Sequence, residues 1–507
     1  MSEEMVEVSN TPEPEIEFEV VKKKSALGIT TFLLRMVFLQ IITFISSVFV
    51  SRFLSPLAFG VYGIVANFVL LFVFFSDIGL AAALIQKKEK ITRDDLVTTF
   101  TIQQFLVSFL VILIFLLLPL VQPLLKFDND GLWLGRALAF SLFLASLKSI
   151  PSVLLERRLD FNLLVVPEIV ETLVFNGVLV ALAYYGWGVK SFSWAVLSRG
   201  LVGVIVIYIL SPWKPGLGVK KKNALSLVRF GLPFQLNSIL AWFKDNLMDN
   251  IVALILRSPT AFGYLSWAKT LSYQPKKVLD SVMRVTFPVY SRLQIKRKVL
   301  NKALSKTHFL LSILTFPLIT GICTLVKPLI LYLYGGPKWL PAIPSVYFLS
   351  IALLWGIINS VATTALSAIG KIKIVLKFMA IITIVTWVLT PFFSFKWGYN
   401  GAAFSWALSG FVSLWSIKQY LKRVKVNLLA DIKSAAISSL AMGLAVYFLG
   451  KMWVKNLPQL IITIILGGTL YAVFIFLLER KRLFLEIKSL LGKDFNLPIF
   501  SKKRSFK

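Results

Sequence analysis

Apolar stretches of about 18 to 25 residues recur along the whole chain, and short polar segments separate them. A helix needs roughly 20 such residues to cross a hydrocarbon core of about 30 Å. The pattern therefore predicts an all-α polytopic membrane protein with fourteen transmembrane helices. The predicted spans are residues 28–50, 60–85, 97–121, 132–154, 164–186, 189–211, 227–256, 262–287, 304–333, 342–368, 374–395, 399–420, 431–451 and 459–478.

Short motifs recur at a nearly constant offset. S-P-L-A-F-G at 55–60 is followed by S-P-T-A-F-G at 258–263, an offset of 203 residues. L-V-Q-P-L-L and L-V-K-P-L-I, which begin at residues 120 and 325, have an offset of 205, and two F-S-W-A motifs, at 192 and 404, have one of 212. Because the pairs keep their order and drift slowly, they indicate a duplicated unit of about six spans.

The duplication predicts two six-helix lobes and two additional C-terminal helices. Six spans are an even number, so the lobes are expected to be parallel and related by a pseudo-two-fold axis along the membrane normal. Within the repeated motif, proline suits the first helical position, and Ser55 and Ser258 are the expected N-caps. The predicted divisions are an acidic tail at 1–24, lobes at 25–212 and 213–425, two added helices at 426–480 and a basic tail at 481–507.

The basic residues that give the chain its net charge of +31 lie mainly between the predicted spans. Of the 55 Lys and Arg residues, 36 lie in loops, tails or span ends on the side of the N-terminus, nine lie in loops or span ends on the opposite side, and the remaining ten lie within spans. By the positive-inside rule both termini are expected to be cytoplasmic. The same distribution explains the basic composition without nucleic-acid binding, and the acidic residues 1–20 do not resemble a signal peptide.

Composition limits the chemistry of the chain. It contains one histidine, His308, and one cysteine, Cys323, so an intrachain disulfide is impossible, and the usual clustered metal sites and the common His-dependent triads are not expected. No G-x-x-x-x-G-K-[ST] motif occurs, so no nucleotide-driven motor is expected within the chain. We expect a transporter without a cofactor rather than an enzyme.

Ionisable residues inside the spans mark a candidate cavity, because each is costly unless it faces water or a partner. Basic residues outnumber acidic ones by ten to six. They are Arg35, Arg136, Lys148, Arg199, Arg229, Lys244, Lys269, Lys276, Lys277 and Arg284, against Asp77, Glu168, Glu171, Asp245, Asp249 and Asp280. A cationic pocket of this kind suits an anionic ligand such as phosphate or pyrophosphate.

The eighth span has the clearest pattern of charge. One polar stripe along a helix, which is predicted to line water, is formed by Lys269, Tyr273, Lys276, Lys277, Asp280 and Arg284. The candidate substrate-binding residues are Arg35, Lys244, Lys269, Lys276, Lys277, Asn67 and Tyr273. The offset of 203 aligns Asp77 with Asp280, and the candidate ion-coupling residues are Asp77, Asp280, Asp245 and Asp249.

Three segments carry a resemblance to a known family. R-F-L-S-P-L-A-F-G-V-Y-G (52–63), F-S-D-I-G-L-A-A-A-L-I-Q-K-K (75–88) and I-T-R-D-D (91–95) resemble the first helices of Wzx-type polysaccharide flippases, of the multidrug/oligosaccharidyl-lipid/polysaccharide exporter superfamily. The resemblance implies two six-helix lobes around a cavity lined by helices one, two, seven and eight. It also implies that the substrate is an oligosaccharide on polyprenyl pyrophosphate, moved from the cytoplasmic to the outer leaflet of the cell membrane.

Two other functions remain open at this point. A drug or cation antiporter of the same superfamily would be expected to hold its substrate with acidic residues, whereas basic residues predominate here. A membrane polymerase or ligase of lipid-linked sugar would be expected to carry a large extramembrane loop. The expected partners are the lipid-linked oligosaccharide and the bilayer, with a polysaccharide polymerase and glycosyltransferases beside them and no nucleic acid.

Overall fold

The fold is entirely helical in the part of the chain that the structure describes. The computed structural model describes residues 38–491, except residues 74, 78, 88, 90, 159, 222–223 and 226–246. The chain forms two compact units, one of Met1–Leu54 with Ile64–Leu247 and one of Ser55–Gly63 with Met248–Lys507. We call them unit 1 and unit 2 and describe each by itself.

Unit 1 is built mainly from seven helices and part of an eighth, and unit 2 from the remaining helices. In chain order the helices are α1 Phe38–Phe53, α2 Pro56–Val73, α3 Leu80–Gln86, α4 Arg93–Leu125, α5 Asn129–Leu147, α6 Ser149–Arg157, α7 Phe161–Tyr184, α8 Lys190–Leu210, α9 Leu247–Leu256, α10 Pro259–Ser272, α11 Gln274–Leu293, α12 Arg297–Pro328, α13 Ile343–Ala368, α14 Ile372–Ser409, α15 Val412–Leu421, α16 Leu428–Met452 and α17 Leu457–Leu491. Helix α2 is shared, because it belongs to unit 2 as far as Gly63 and to unit 1 from Ile64.

Every predicted span overlaps a helix. Among the described residues, ten helical segments are long and apolar enough to cross a membrane, and the segment Ile372–Leu421 covers two predicted spans. The other three predicted spans fall on the shorter apolar helices α1 and α9 and on the charged pair α10 and α11. The prediction of an all-α polytopic membrane protein is therefore confirmed.

The exposed surface of the helices is apolar. On α4, Phe105 is 79% exposed and Leu120 is 67% exposed, and Ile112 and Leu116 are exposed as well. Exposed aliphatic and aromatic side chains in such numbers are unfavourable in water but favourable against lipid chains. The surface chemistry therefore agrees with the length of the helices.

Unit 1 is held together by a series of helix pairs. Helix α4 packs on α5, α5 on α8, and α8 on α7. A capping box begins α4, since the Thr92 hydroxyl accepts a hydrogen bond from the Asp95 backbone N–H and the Asp95 carboxylate accepts one from that of Thr92. Arg157, at the end of α6, donates to the carbonyl oxygens of Leu84 and Lys87 and so caps the end of α3.

Unit 2 packs around α12 and α13. Helix α12 lies against α16, α16 against α17, and α13 against α14. On the cytoplasmic side of the predicted topology, Asp431 at the start of α16 accepts hydrogen bonds from Ser305 of α12 at 2.5 Å and Arg482 of α17 at 2.8 Å. The two added C-terminal helices are thus fastened to α12 by a buried carboxylate.

The two copies of S-P-x-A-F-G meet in unit 2. As predicted, Ser55 and Ser258 accept hydrogen bonds from the N–H groups of Ala58 and Ala261, each at 3.3 Å, and a proline begins each helix. A Cβ atom on Gly60 would overlap the carbonyl oxygen of Pro259, and one on Gly263 would overlap the carbonyl oxygen of Pro56. The contact is reciprocal, as expected for two copies related by a two-fold axis.

Several predicted spans are not continuous helices. The span 60–85 ends as α2 at Val73 and resumes as α3 at Leu80, after Gly79 with a φ of 72°. The span 262–287 is interrupted at Tyr273, and 132–154 at Lys148, between α5 and α6. The boundaries predicted for the lobes and tails stay a prediction.

We predict that the reciprocal glycine contact limits stability. Gly60→Ala or Gly263→Ala should lower the free energy of unfolding by about 2 kcal/mol or more, because the added methyl group meets backbone that cannot rotate away. The apparent melting temperature of the detergent-purified protein measures the effect. Gly468→Ala in α17 is the matched control, since a Cβ atom there has nothing within 4 Å, and it should leave the melting temperature unchanged or slightly raised.

Candidate functional site

The predicted polar stripe of the eighth span lies on two helices rather than one. Helix α10 ends at Ser272 and α11 begins at Gln274, with Tyr273 between them at φ −92° and ψ 7°. Pro275 lies in the first turn of α11, where its missing N–H costs no hydrogen bond. The proline thus places a helix N-terminus near the middle of a predicted membrane span.

Lys269 is the residue of the stripe that lies before the break, on α10. Its ammonium nitrogen lies 2.5 Å from a carboxylate oxygen of Asp249 on α9, and both side chains are about three-quarters buried. The same nitrogen lies 4.0 Å from the ring centre of Trp406 on α14, a cation–π contact. Asp249, predicted to couple an ion, is therefore the counter-ion of a predicted substrate ligand.

Lys276 and Lys277 follow the break. Lys276 pairs with Asp280 one turn along α11 at 3.0 Å, with both side chains about half exposed. Lys277 is partly buried, and its ammonium group has no hydrogen bond or ion pair with any described residue. Both lysines lie in the first turn of α11, where the helix dipole adds positive potential. The start of α11 thus carries two ammonium groups and a helix N-terminus, and Asp280 is the one described carboxylate that pairs with them, through Lys276.

The remaining predicted residues lie apart from this cluster or outside the described residues. Tyr273 packs against the apolar core that contains Leu279 and Leu304, and Asn67 is a partly buried residue of α2 in unit 1. Asp77 accepts hydrogen bonds from Ala81 N–H and from the Gln103 side chain, each at 3.3 Å, and so holds the start of α3 in unit 1. Arg35, Lys244 and Asp245 lie outside the described residues.

Asp77 and Asp280 have different surroundings. Asp77 holds a helix start in unit 1, whereas Asp280 pairs with a lysine in unit 2. Their predicted relation across a pseudo-two-fold axis stays a prediction.

Unit 1 contains a second cluster of charges, which sequence reasoning did not assign to a site. Glu171 of α7 accepts from Lys148 at 2.5 Å and from Arg199 of α8 at 3.3 Å. Lys148 and Glu171 also line a cavity of about 140 Å³ together with Ser152 and Glu168. The sequence showed each charge within its span, but the three come from α7, from α8 and from the break between α5 and α6, and no spacing within one helix predicts their meeting.

Trp406 is another residue that was not predicted. It belongs to the second F-S-W-A motif, which served only to mark the repeat. Its contact with Lys269 joins α10 to α14 in unit 2. A tryptophan within a repeated motif was the available signal, although the motif alone does not say which cation the ring contacts.

The chain is similar to known proteins of polysaccharide biosynthesis. The model of the family described as "Polysaccharide biosynthesis protein" matches residues 49–344. The "Uncharacterized membrane protein in cps region" of Klebsiella pneumoniae is 26% identical over 469 residues, 89% of this chain and 94% of that protein. The succinoglycan biosynthesis transport protein ExoT of Rhizobium meliloti (strain 1021) is 22% identical, over 87% of this chain and 90% of that protein.

A solved structure shares the fold. Lipid II flippase MurJ, in an inward closed conformation, superposes with a TM-score of 0.72 at 17% identity. The superposition covers 90% of this chain and 100% of the MurJ chain. The likeness is one of fold, and together with the family match it confirms the resemblance that residues 52–95 indicated.

We predict that Asp249 and Lys269 stabilise unit 2 as a pair. Asp249→Asn or Lys269→Met alone should cost about 1–3 kcal/mol, because each leaves a largely buried charge without its partner. The double variant should cost less than the sum of the two, and thermal unfolding of all three measures the difference. Strict additivity would contradict the coupling. The matched control is Lys276→Gln, whose exposed pair should contribute below about 0.5 kcal/mol.

Proposed function

The chain belongs to the polysaccharide biosynthesis protein family, and we propose from this premise that it is a flippase. Its substrate is an oligosaccharide repeat unit linked to polyprenyl pyrophosphate, which moves from the cytoplasmic to the outer leaflet by alternating access. The names of two relatives, one in a cps region and one a succinoglycan transport protein, support the substrate class. Both termini are cytoplasmic in this proposal, and the protein lies in the cell membrane.

The observation that carries the proposal is the start of α11. The break at Tyr273 places a helix N-terminus within a predicted membrane span, and Lys276 and Lys277 lie in its first turn. Asp280 offsets one of these ammonium groups, whereas Lys277 has no described acidic partner. Broken helices whose N-termini face anionic substrate groups are a recurring device of membrane transporters. A pyrophosphate carries the opposite charge and many acceptor oxygens, so it suits this position.

The membrane potential favours the proposed direction. A head group of charge about −2 that moves outward gains roughly 4–5 kcal/mol at 100 mV, negative inside. The prenyl chain stays in the bilayer while the head group crosses. The energy source is thereby external to the chain, and coupling to an ion through Asp77 or Asp280 is a further hypothesis. An Asp77→Asn variant whose transport keeps its dependence on the ion gradient would count against that coupling.

The reciprocal contact of the two S-P-x-A-F-G motifs supplies the gate in this proposal. It lies on the outer side of the predicted topology and brings Gly60 against Pro259 and Gly263 against Pro56. Alternating access requires this contact to open when the cavity faces outward. Partners act on either side of transport: glycosyltransferases supply the cytoplasmic substrate, and a polymerase consumes the product.

We predict that Lys277 contributes to transport. Lys277→Gln should slow flipping about tenfold, because the diphosphate loses a charge-assisted contact, whereas Lys277→Arg should retain most of the rate. The assay is the accessibility of a lipid-linked oligosaccharide to an added enzyme in proteoliposomes. Lys298→Gln, an exposed charge in the first turn of α12, is the control and should transport normally. An unchanged rate for Lys277→Gln would remove the start of α11 from the proposed path.

We predict that a covalent link across the motif contact stops transport. A Cβ atom on Gly63 would lie 2.9 Å from the Ser266 hydroxyl, so Gly63→Cys with Ser266→Cys brings two thiols within bonding reach. In a Cys323→Ser background, oxidation should abolish flipping and reduction should restore it. Each single cysteine variant controls for the substitutions themselves. Full transport by the oxidised double variant would show that the contact never opens and would contradict the gate.

A further inference from the structure

The charge cluster of unit 1 has a fixed centre. Glu171 is 6% exposed and receives both Lys148 and Arg199. Gly203 of α8 lies directly behind it, and a Cβ atom at that position would overlap the Glu171 carboxylate. Contact from three sides holds the carboxylate in place, so whatever it binds is held in place as well.

Two basic side chains share one carboxylate in this cluster. Lys148 and Arg199 both contact Glu171, at 2.5 Å and 3.3 Å. Glu168 adds a second carboxylate beside Lys148 on the wall of the cavity. Among the described residues, Arg199 therefore has Glu171 as its one acidic partner, and it shares that partner with Lys148.

The donors of Arg199 are only partly used. Its Nε bonds to Glu171, and its guanidinium carbon lies 5.9 Å from the ring centre of Phe175. Its two terminal nitrogens make no hydrogen bond with any residue that the structure describes. The side chain is 52% exposed, so a planar pair of donors is both oriented by Glu171 and accessible.

Arg199 lies beside the exposed apolar face of α8, not within it. Trp194, Leu201, Ile205 and Ile209 are exposed on that helix. At 3.6 residues per turn they lie about 80–160° around the helix from Arg199. Arg199 lies nine residues from the start of a 21-residue helix, far from either end, so snorkelling to an interface does not account for it.

We propose that Arg199 is a phosphate-binding residue that Glu171 and Lys148 orient within the membrane. The inference rests on the proposed function for the source of the ligand, which is the diphosphate of the lipid carrier. An acidic phospholipid head group offers the same chemistry and is the alternative that the experiment separates. The terminal nitrogens of Arg199 would meet two phosphate oxygens, while Glu171 keeps the guanidinium plane from turning away.

The test measures binding rather than transport. The full chain in detergent is titrated with farnesyl diphosphate, and tryptophan fluorescence reports occupancy. Arg199→Gln should weaken the affinity about tenfold. Arg199→Lys should weaken it about threefold, because lysine keeps the positive charge but lacks the two parallel N–H donors of the guanidinium group. Lys190→Gln, which removes an exposed charge at the start of the same helix, should bind as the wild type does.

A glycine variant separates positioning from charge. Gly203→Ala removes no charge but displaces the Glu171 carboxylate, so it should weaken diphosphate binding about threefold if Glu171 orients Arg199. Gly177→Ala on α7 is its control, because a Cβ atom there has nothing within 4 Å. Unchanged binding by a folded Arg199→Gln variant would overturn the proposal. If that variant does not fold, wild-type binding by both Arg199→Lys and Gly203→Ala would overturn it.

Two further outcomes identify the source of the phosphate. Native mass spectrometry of protein from phosphatidylglycerol vesicles should show equal lipid retention by the wild type and Arg199→Gln. Loss of that lipid with unchanged farnesyl diphosphate binding would assign the site to bulk phospholipid and overturn the carrier assignment. A wild type that does not flip lipid-linked oligosaccharide, but binds farnesyl diphosphate through Arg199, would refute the proposed function and leave this inference standing.

Discussion

A charge inside the hydrocarbon layer must find an opposite charge, a hydrogen-bonding partner or water, and this constraint organises both units. In unit 1 it brings Lys148 and Arg199 to one carboxylate, and in unit 2 it brings Lys269 to Asp249 and Trp406. These contacts join α7 to α8, α9 to α10 and α10 to α14. The ionisable residues therefore stabilise the packing of helices against one another. Only a charged group that has no partner within the chain is available to bind a ligand.

Much of the fold is legible in the sequence because it depends on local physics. Helix length follows from the thickness of the bilayer, so every predicted span meets a helix. The caps at Ser55 and Ser258 follow from a serine placed just before a helix-starting proline. The break at Tyr273 had a visible sign in Pro275, but the apolar and polar periodicity runs through it and favours one helix. The periodicity of apolar and polar residues shows which face of a helix a residue lies on, but it does not show whether the helix is continuous.

The candidate site was less predictable because partners come from other helices. The stripe of the eighth span was recognised as polar. Its spacing does not show that Lys269 forms an ion pair with Asp249, or that the Lys277 ammonium group has no ion-pair partner among the described residues. Asp77 was interpreted as a coupling residue, and that stays a prediction; in the structure it accepts hydrogen bonds from Ala81 N–H and Gln103 at the start of α3. Glu171 and Arg199 appeared as isolated charges. Only the packing of α7 on α8 shows that they meet.

The contact of Gly60 with Pro259 and of Gly263 with Pro56 also bears on the history of the chain. A patch that fits a copy of itself is what a symmetric homodimer uses. A single unit of about 205 residues, the length that the repeats indicate, would carry one such patch and would fit a second copy of itself through these same six residues. In the present chain the two copies differ over most of their length but match at five of these six positions. A bulkier residue at either glycine meets the backbone of the other copy, so neither hexapeptide can drift without compensation by its counterpart.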